Sequence, residues 1–110
     1  MLEIKDSRIN YVAGFTDMRC GKDSLSRIVR NNLNRDPSSG EVFVFMSKSR
    51  RRMKALRSIG QLWCIYDLSF SGGMRFMKVA GPVDSGVTVI DWKYLLVLLQ
   101  CPARDTVRVY

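Results

Sequence analysis

Apolar residues recur every three to four positions before Asp36 and every second position, or in unbroken runs, after Gly40. Between the two regimes lies Asp36-Pro37-Ser38-Ser39-Gly40, a run of turn formers that a helix does not cross. Upstream, Leu25, Ile28, Val29 and Leu33 fall on one face of a helix predicted over 22–34, with Arg27, Arg30, Asn31 and Asn34 opposite. Asp23 stands near its start, where a negative charge complements the helix dipole. Downstream, the Val- and Phe-rich stretch 41–46 has the composition of a strand buried on both faces. Further strands are predicted over 52–59, 61–68 and 74–80, separated by the polar stretch Ser47 to Arg51, by Gly60 and by Ser71-Gly72-Gly73. In the 61–68 strand, Trp63 and Ile65 share one face, and Leu62, Cys64 and Tyr66 the other. Connections this short favour antiparallel neighbours.

The flanks complete the layout. Arg8 to Ala13 alternates weakly, as a short strand stopped by Gly14, and Val87 to Ile90 adds another. Asp91 is placed to cap a second helix over 91–100, whose apolar face carries Trp92, Leu95, Leu96 and Leu99 and which Pro102 closes. Val97 and Leu98 widen that face. Residues 103–110 read as a frayed tail or an edge strand. The expected architecture is α+β: an antiparallel β-meander of four to five strands with one helix before it and one after, in a single domain spanning 1–110.

The residue inventory narrows function by elimination. Histidine is absent, which removes imidazole catalysis and the commonest zinc ligand. Cys20, Cys64 and Cys101 are too far apart for a Cys-x-x-Cys pair and read as reduced thiols of a cytoplasmic protein. The longest apolar run, Tyr94 to Leu99, is far short of the ~20 residues of a membrane span, and no signal peptide is visible. Neither Gly-x-Ser-x-Gly nor a phosphate-cradling glycine motif occurs, and the carboxylates are scattered. These observations predict a binding role without catalysis, metal, cofactor or small-molecule substrate.

Charge is concentrated. Of the net +8, residues 48–78 supply +7, from eight basic side chains against Asp67 alone. Lys48, Arg50, Arg51, Arg52, Lys54 and Arg57 lie within ten residues. A cluster of this kind reads as a solvated hairpin, as a nucleic-acid contact, or as a site for an acidic protein or membrane surface. The membrane alternative lacks a lipidation motif or basic amphipathic helix. In the nucleic-acid reading the six side chains contact phosphates, which positions a duplex without reading its sequence. Among the aromatics near the cluster, Phe43, Phe45 and Trp63 are assigned to the core, while Tyr66 and Phe76 are open to either core packing or base stacking.

A set of short motifs carries a family resemblance. Thr16-Asp17-Met18-Arg19, then Gly21, Asp23, Leu25 and Val29, then Arg35-Asp36-Pro37, Ser39-Gly40, Val42-Phe43-Val44-Phe45 and Arg50-Arg51-Arg52-x-Lys54, resemble the TnpB accessory protein of insertion-sequence-66-type bacterial elements. That protein is encoded beside the transposase and is unrelated to the RNA-guided nuclease of the same name. The resemblance covers about residues 8–66, and departs from the family pattern at Arg57-Ser58-Ile59-Gly60 and Asp67-Leu68-Ser69-Phe70. It implies a non-enzymatic role in transposition alongside the element's transposase, and the basic cluster adds DNA as an expected partner. Two expectations follow: an accessory protein that binds DNA through the basic hairpin, or an adaptor that recruits the transposase without binding DNA. Thr16, Asp17, Met18 and Arg19 form a family motif of unknown role, readable as a turn in which Asp17 and Arg19 are tied together or as a contact surface.

Overall fold

The computed structural model describes residues 7–104. Its elements in chain order are β1 (Ile9–Val12), α1 (Lys22–Arg27) continued by a π-helical segment (Ile28–Asn32), β2 (Val42–Met46), β3 (Arg52–Ile59), β4 (Leu62–Ser69), β5 (Met74–Arg75), β6 (Val87–Ile90), α2 (Trp92–Gln100) and β7 (Ala103–Arg104). The fold is α+β, a five-stranded mixed sheet with one early helix and one C-terminal helix. The sheet runs β4-β3-β2-β1-β6.

β2 is the third of these five strands, which explains its unbroken apolar sequence. Val42, Val44 and Met46 face a cluster containing Ile9, Met53, Phe76, Leu95 and Leu98, whereas Phe43 and Phe45 face one containing Leu25, Val29, Leu33 and Leu56. The two helices therefore lie on opposite faces of the sheet. Leu25 and Val29 are fully buried and Ile28 half-buried, so the apolar stripe of the first helix points where its spacing predicts. Its second half is wider than an α-helix, since the Leu33 N–H donates to the Ile28 carbonyl five residues back. In α2 the Asp91 carboxylate accepts a hydrogen bond from the Tyr94 N–H at 2.8 Å, the capping bond its position suggested. The buried residues of α2 are Leu95 and Leu98; Trp92, Tyr94, Leu96 and Leu99 are half-buried, so the face is turned from Leu99 toward Leu98, about one position earlier than expected.

The hairpin β3–β4 matches the expected strands to within a residue, with Trp63 in the α1-side cluster and Tyr66 in the α2-side cluster. Two features of the meander are corrected. First, β1 pairs parallel with β2 (Ile9 opposite Val42, Tyr11 opposite Val44), because α1 carries the chain back as a βαβ crossover. Second, 74–80 is not a strand of this sheet. Met74–Arg75 pair instead with Ala103–Arg104, and Phe76 then plunges into the core. The expected place of that strand was beside β4, which is instead an edge of the sheet; the fifth strand is β6, at the opposite edge, antiparallel to β1 from Val12 opposite Val87 to Ile9 opposite Ile90. Of the expected tail, Ala103 and Arg104 form β7, and 105–110 lie outside the described residues.

Candidate nucleic-acid interface

The basic segment begins where β2 ends. Ser47 to Arg51 make the β2–β3 turn, closed by the Ser47 N–H to the Arg52 carbonyl at 3.0 Å and the Arg50 N–H to the Ser47 carbonyl at 2.9 Å. Lys48 is exposed, Arg50 and Arg51 are half-buried, and Arg52 is exposed at the first residue of β3. Arg52 reaches across to Asp67 on β4 at 2.6 Å, the one carboxylate in the segment. Both partners are about half exposed, so this ion pair orients the guanidinium more than it stabilises the fold.

Strand parity separates the remaining two. Lys54 lies on the α1 side of the sheet, opposite Phe45, and is nine-tenths buried with its Nζ donating to the Cys20 carbonyl at 2.9 Å. Arg57, three positions on, lies on the other side, opposite Cys64. The six basic residues are thus four at the turn end and two distributed over both faces of the hairpin.

Thr16-Asp17-Met18-Arg19 sits at the same end of the sheet, since the Thr16 N–H donates to the Met46 carbonyl at 2.8 Å. Met18 is buried in the α1-side cluster. The Asp17 carboxylate accepts from the Arg19 backbone N–H at 2.9 Å and from its guanidinium at 2.7 and 3.1 Å. These bonds hold the Asp17 carboxyl below its usual value, at about 2, the guanidinium contributing most. A depressed carboxyl supports the folded turn fully above its ordinary value of 3.8 and loses that support as pH falls through about 2, so the turn is insensitive to pH between 5 and 8. An NMR titration of the Asp17 carboxyl should have its midpoint near 2, and Arg19→Ala should bring it back toward 3.8. A midpoint unmoved by Arg19→Ala would refute this origin.

Phe43 and Phe45 are fully buried and Trp63 is half-buried beneath the Lys22 ammonium, 5.6 Å from the ring centre. Phe76 is also buried and Tyr66 is half-buried against the α2-side cluster, so all five aromatics near the basic cluster pack in or against the core. Among the described residues the exposed aromatic is one outside that set. Phe15, just past Gly14, borders a crevice with Arg50, Lys78 and Val83 at the end of the sheet where β1 and β2 terminate. The available signal was a large apolar residue immediately after a strand-ending glycine, outside any alternation.

The model of the family described as IS66 Orf2 like protein matches residues 7–108. The chain belongs to the IS66 Orf2-like family. Membership implies an accessory role in transposition of IS66-type elements. The chain is also similar to "Uncharacterized protein y4hO" of Sinorhizobium fredii (strain NBRC 101917 / NGR234), 39% identical over 89 residues that cover 81% of this chain and 77% of that protein. No solved structure matches the chain significantly. In this IS66 Orf2-like protein no helix among the described residues is long and apolar enough to cross a membrane. Nor do the described residues contain a group of three or more Cys, Asp or Glu side chains placed to hold a metal ion.

Proposed function

We propose that this IS66 Orf2-like protein is a non-catalytic accessory factor of transposition that acts in the cytoplasm and binds DNA through the turn end of its basic hairpin. The observation carrying this reading is the placement of Lys48, Arg50, Arg51 and Arg52 together on one turn, against the single carboxylate of Asp67. Their contacts are to phosphates, so they set affinity and orientation and leave sequence unread. Lys54 and Arg57 support the hairpin rather than the DNA: one is tied to the Cys20 carbonyl, and the other lies across the sheet from it.

Four phosphate contacts give log K a slope of about −3 to −4 against log salt, at roughly −0.9 per contact on duplex DNA. Affinity for a labelled duplex should then fall about 100-fold between about 50 and 200 mM salt. With Lys48, Arg51 and Arg52 all replaced by alanine, one contact remains and the same change in salt should weaken binding only a few-fold. Equal affinity and equal slope for parent and triple variant would overturn the proposal.

The adaptor reading has its own observation. Leu62 and Ile65 are exposed on β4, an edge strand of the sheet and so able to meet a protein partner such as the transposase. An association with transposase that survives nuclease treatment, together with no duplex affinity at low salt, would favour it.

A further inference from the structure

We infer that the crevice beside the basic turn binds an unpaired nucleotide of single-stranded DNA, with its base on Phe15 and its phosphate between Arg50 and Lys78. This inference rests on the DNA-binding reading and adds the substrate class to it. The crevice has a volume of about 290 Å³ and is bordered by Tyr11, Phe15, Arg50, Lys78, Val83 and Thr88. It opens beyond the carboxyl ends of the parallel pair β1 and β2, where βαβ units leave room for ligands.

Three features of the crevice point to this occupant. Phe15 and Val83 are 63% and 60% exposed within it, two large apolar side chains left uncovered at one place. Neither belongs to a core cluster, so burial in the core does not account for either. The charged residues that line it are Arg50 and Lys78, and no carboxylate is among them. An apolar surface with two cations and no anion matches a base carrying a phosphate, and matches poorly a neutral ligand or a basic peptide.

The backbone at Arg50 is the third. Its φ is +59°, a left-handed conformation that a residue with a Cβ adopts at a cost in strain. It is held there by the Arg50 N–H bond to the Ser47 carbonyl and by the Phe76 N–H, which donates to the Arg50 carbonyl at 2.7 Å. The second of these bonds ties the basic turn to the segment that leads into Lys78. The backbones from which the two cations project are therefore linked, so Arg50 and Lys78 both start from the rim of one crevice. The Tyr11 hydroxyl lies in the field of the Arg50 guanidinium, which counters part of the upward push of burial on its pKa.

Size limits the occupant to one base. The volume lies just below the usual range for ligand clefts, about 300–1,000 Å³. Bases inside a duplex are stacked on their neighbours and cannot reach Phe15 without being extruded. The turn and the crevice thus divide the DNA between them, duplex phosphates on the first and an unpaired strand in the second, with Arg50 shared at their junction.

The experiment compares a fluorescein-labelled oligothymidylate with a duplex of equal length by fluorescence anisotropy. Phe15→Ala should weaken single-strand binding about 5- to 100-fold, the range of one lost base–aromatic stack. Duplex affinity should stay within about twofold, because Phe15 is outside the turn. Lys78→Ala should reduce the single-strand salt slope by about 0.7. Phe15→Trp should keep the affinity, and its added indole fluorescence should be quenched by the oligothymidylate. Parent protein that binds duplex but not the single strand, or single-strand affinity unmoved by Phe15→Ala, would overturn the crevice assignment and leave the turn standing. Single-strand binding that responds to Phe15, with no duplex affinity, would support the crevice and sink the turn. Equal losses on both DNAs in Phe15→Ala would overturn the division between them.

Discussion

Replacing Phe43 with alanine should lower unfolding free energy by about 3–5 kcal/mol, the span for deleting a buried aromatic side chain. Phe43 is fully buried on the middle strand of the sheet, paired with Asn10 on one side and Leu56 on the other. Its ring shares a cluster with Leu25, Val29 and Leu56, which come from the helix above it and the strand beside it. These neighbours are fixed by two different elements and cannot close together over the gap, so the cavity term adds to the lost transfer energy. A domain of this size has about 5–15 kcal/mol in total, which makes the loss a large fraction of it. Urea denaturation should show a lower midpoint with an unchanged slope. A change below about 1 kcal/mol would mean that the α1 layer does not pack on this face of the sheet.

Lys54→Glu should be of similar size, about 3–5 kcal/mol, and for an electrostatic reason. The Lys54 ammonium is nearly buried and donates to the Cys20 carbonyl. A carboxylate there would face that carbonyl oxygen with no donor to offer, and would stand directly across the strands from Asp67. Lys54→Met keeps most of the stem and removes the charge; it should lose only about 1–2 kcal/mol, from one hydrogen bond and an acceptor left without its donor. The pair separates fold from function. Folded Lys54→Met should retain duplex affinity to within about twofold, and a large loss there would return Lys54 to the phosphate contacts. Urea titration of both variants, with an anisotropy measurement on the methionine one, decides the matter.

The hairpin β3–β4 was legible because its signals are local: two alternating stretches with Gly60 between them, at a turn whose φ of +59° favours glycine. The α2 cap was legible for the same reason, as Asp91 needs only the Tyr94 N–H three residues on. Partnership between distant strands is another matter. Alternation in Ile9–Val12 tells which side chains share a face and is silent about whether the neighbour runs parallel. In 74–80 the apolar residues resemble a strand, yet most of their backbone covers the sheet face on which Phe76 is buried. The π-helical segment was hidden because one wider turn leaves the apolar stripe almost unchanged.

At the candidate site, the number of positive charges could be read directly, and their surface could not. A run of arginines and lysines has no face until the strand begins. From Arg52 onward, parity places Arg52 and Lys54 with Asp67 and sends Arg57 to the other side. Burial of Lys54 depends on where the Cys20 carbonyl lies, 34 residues earlier in the chain. The crevice residues come from β1, the basic turn and the 78–88 region, which no window of the sequence brings together.

The pairing of β1 with β6 also sets a timetable for synthesis. Ile9 meets Ile90, 81 positions later, and its other neighbour, Val42, is 33 positions away. At about 5–20 residues per second, the ribosome takes roughly 4–16 seconds to deliver the last partner of the second strand from the sheet's edge. Over the last 21 residues of that interval, from Ser69 to Ile90, the local β3–β4 hairpin has both its strands, while β1 has an open side that exposes unpaired backbone. The arginine-rich turn therefore emerges and closes before the sheet that will carry it is complete, and the nascent chain carries its densest positive charge while β1 is still unpaired on one edge.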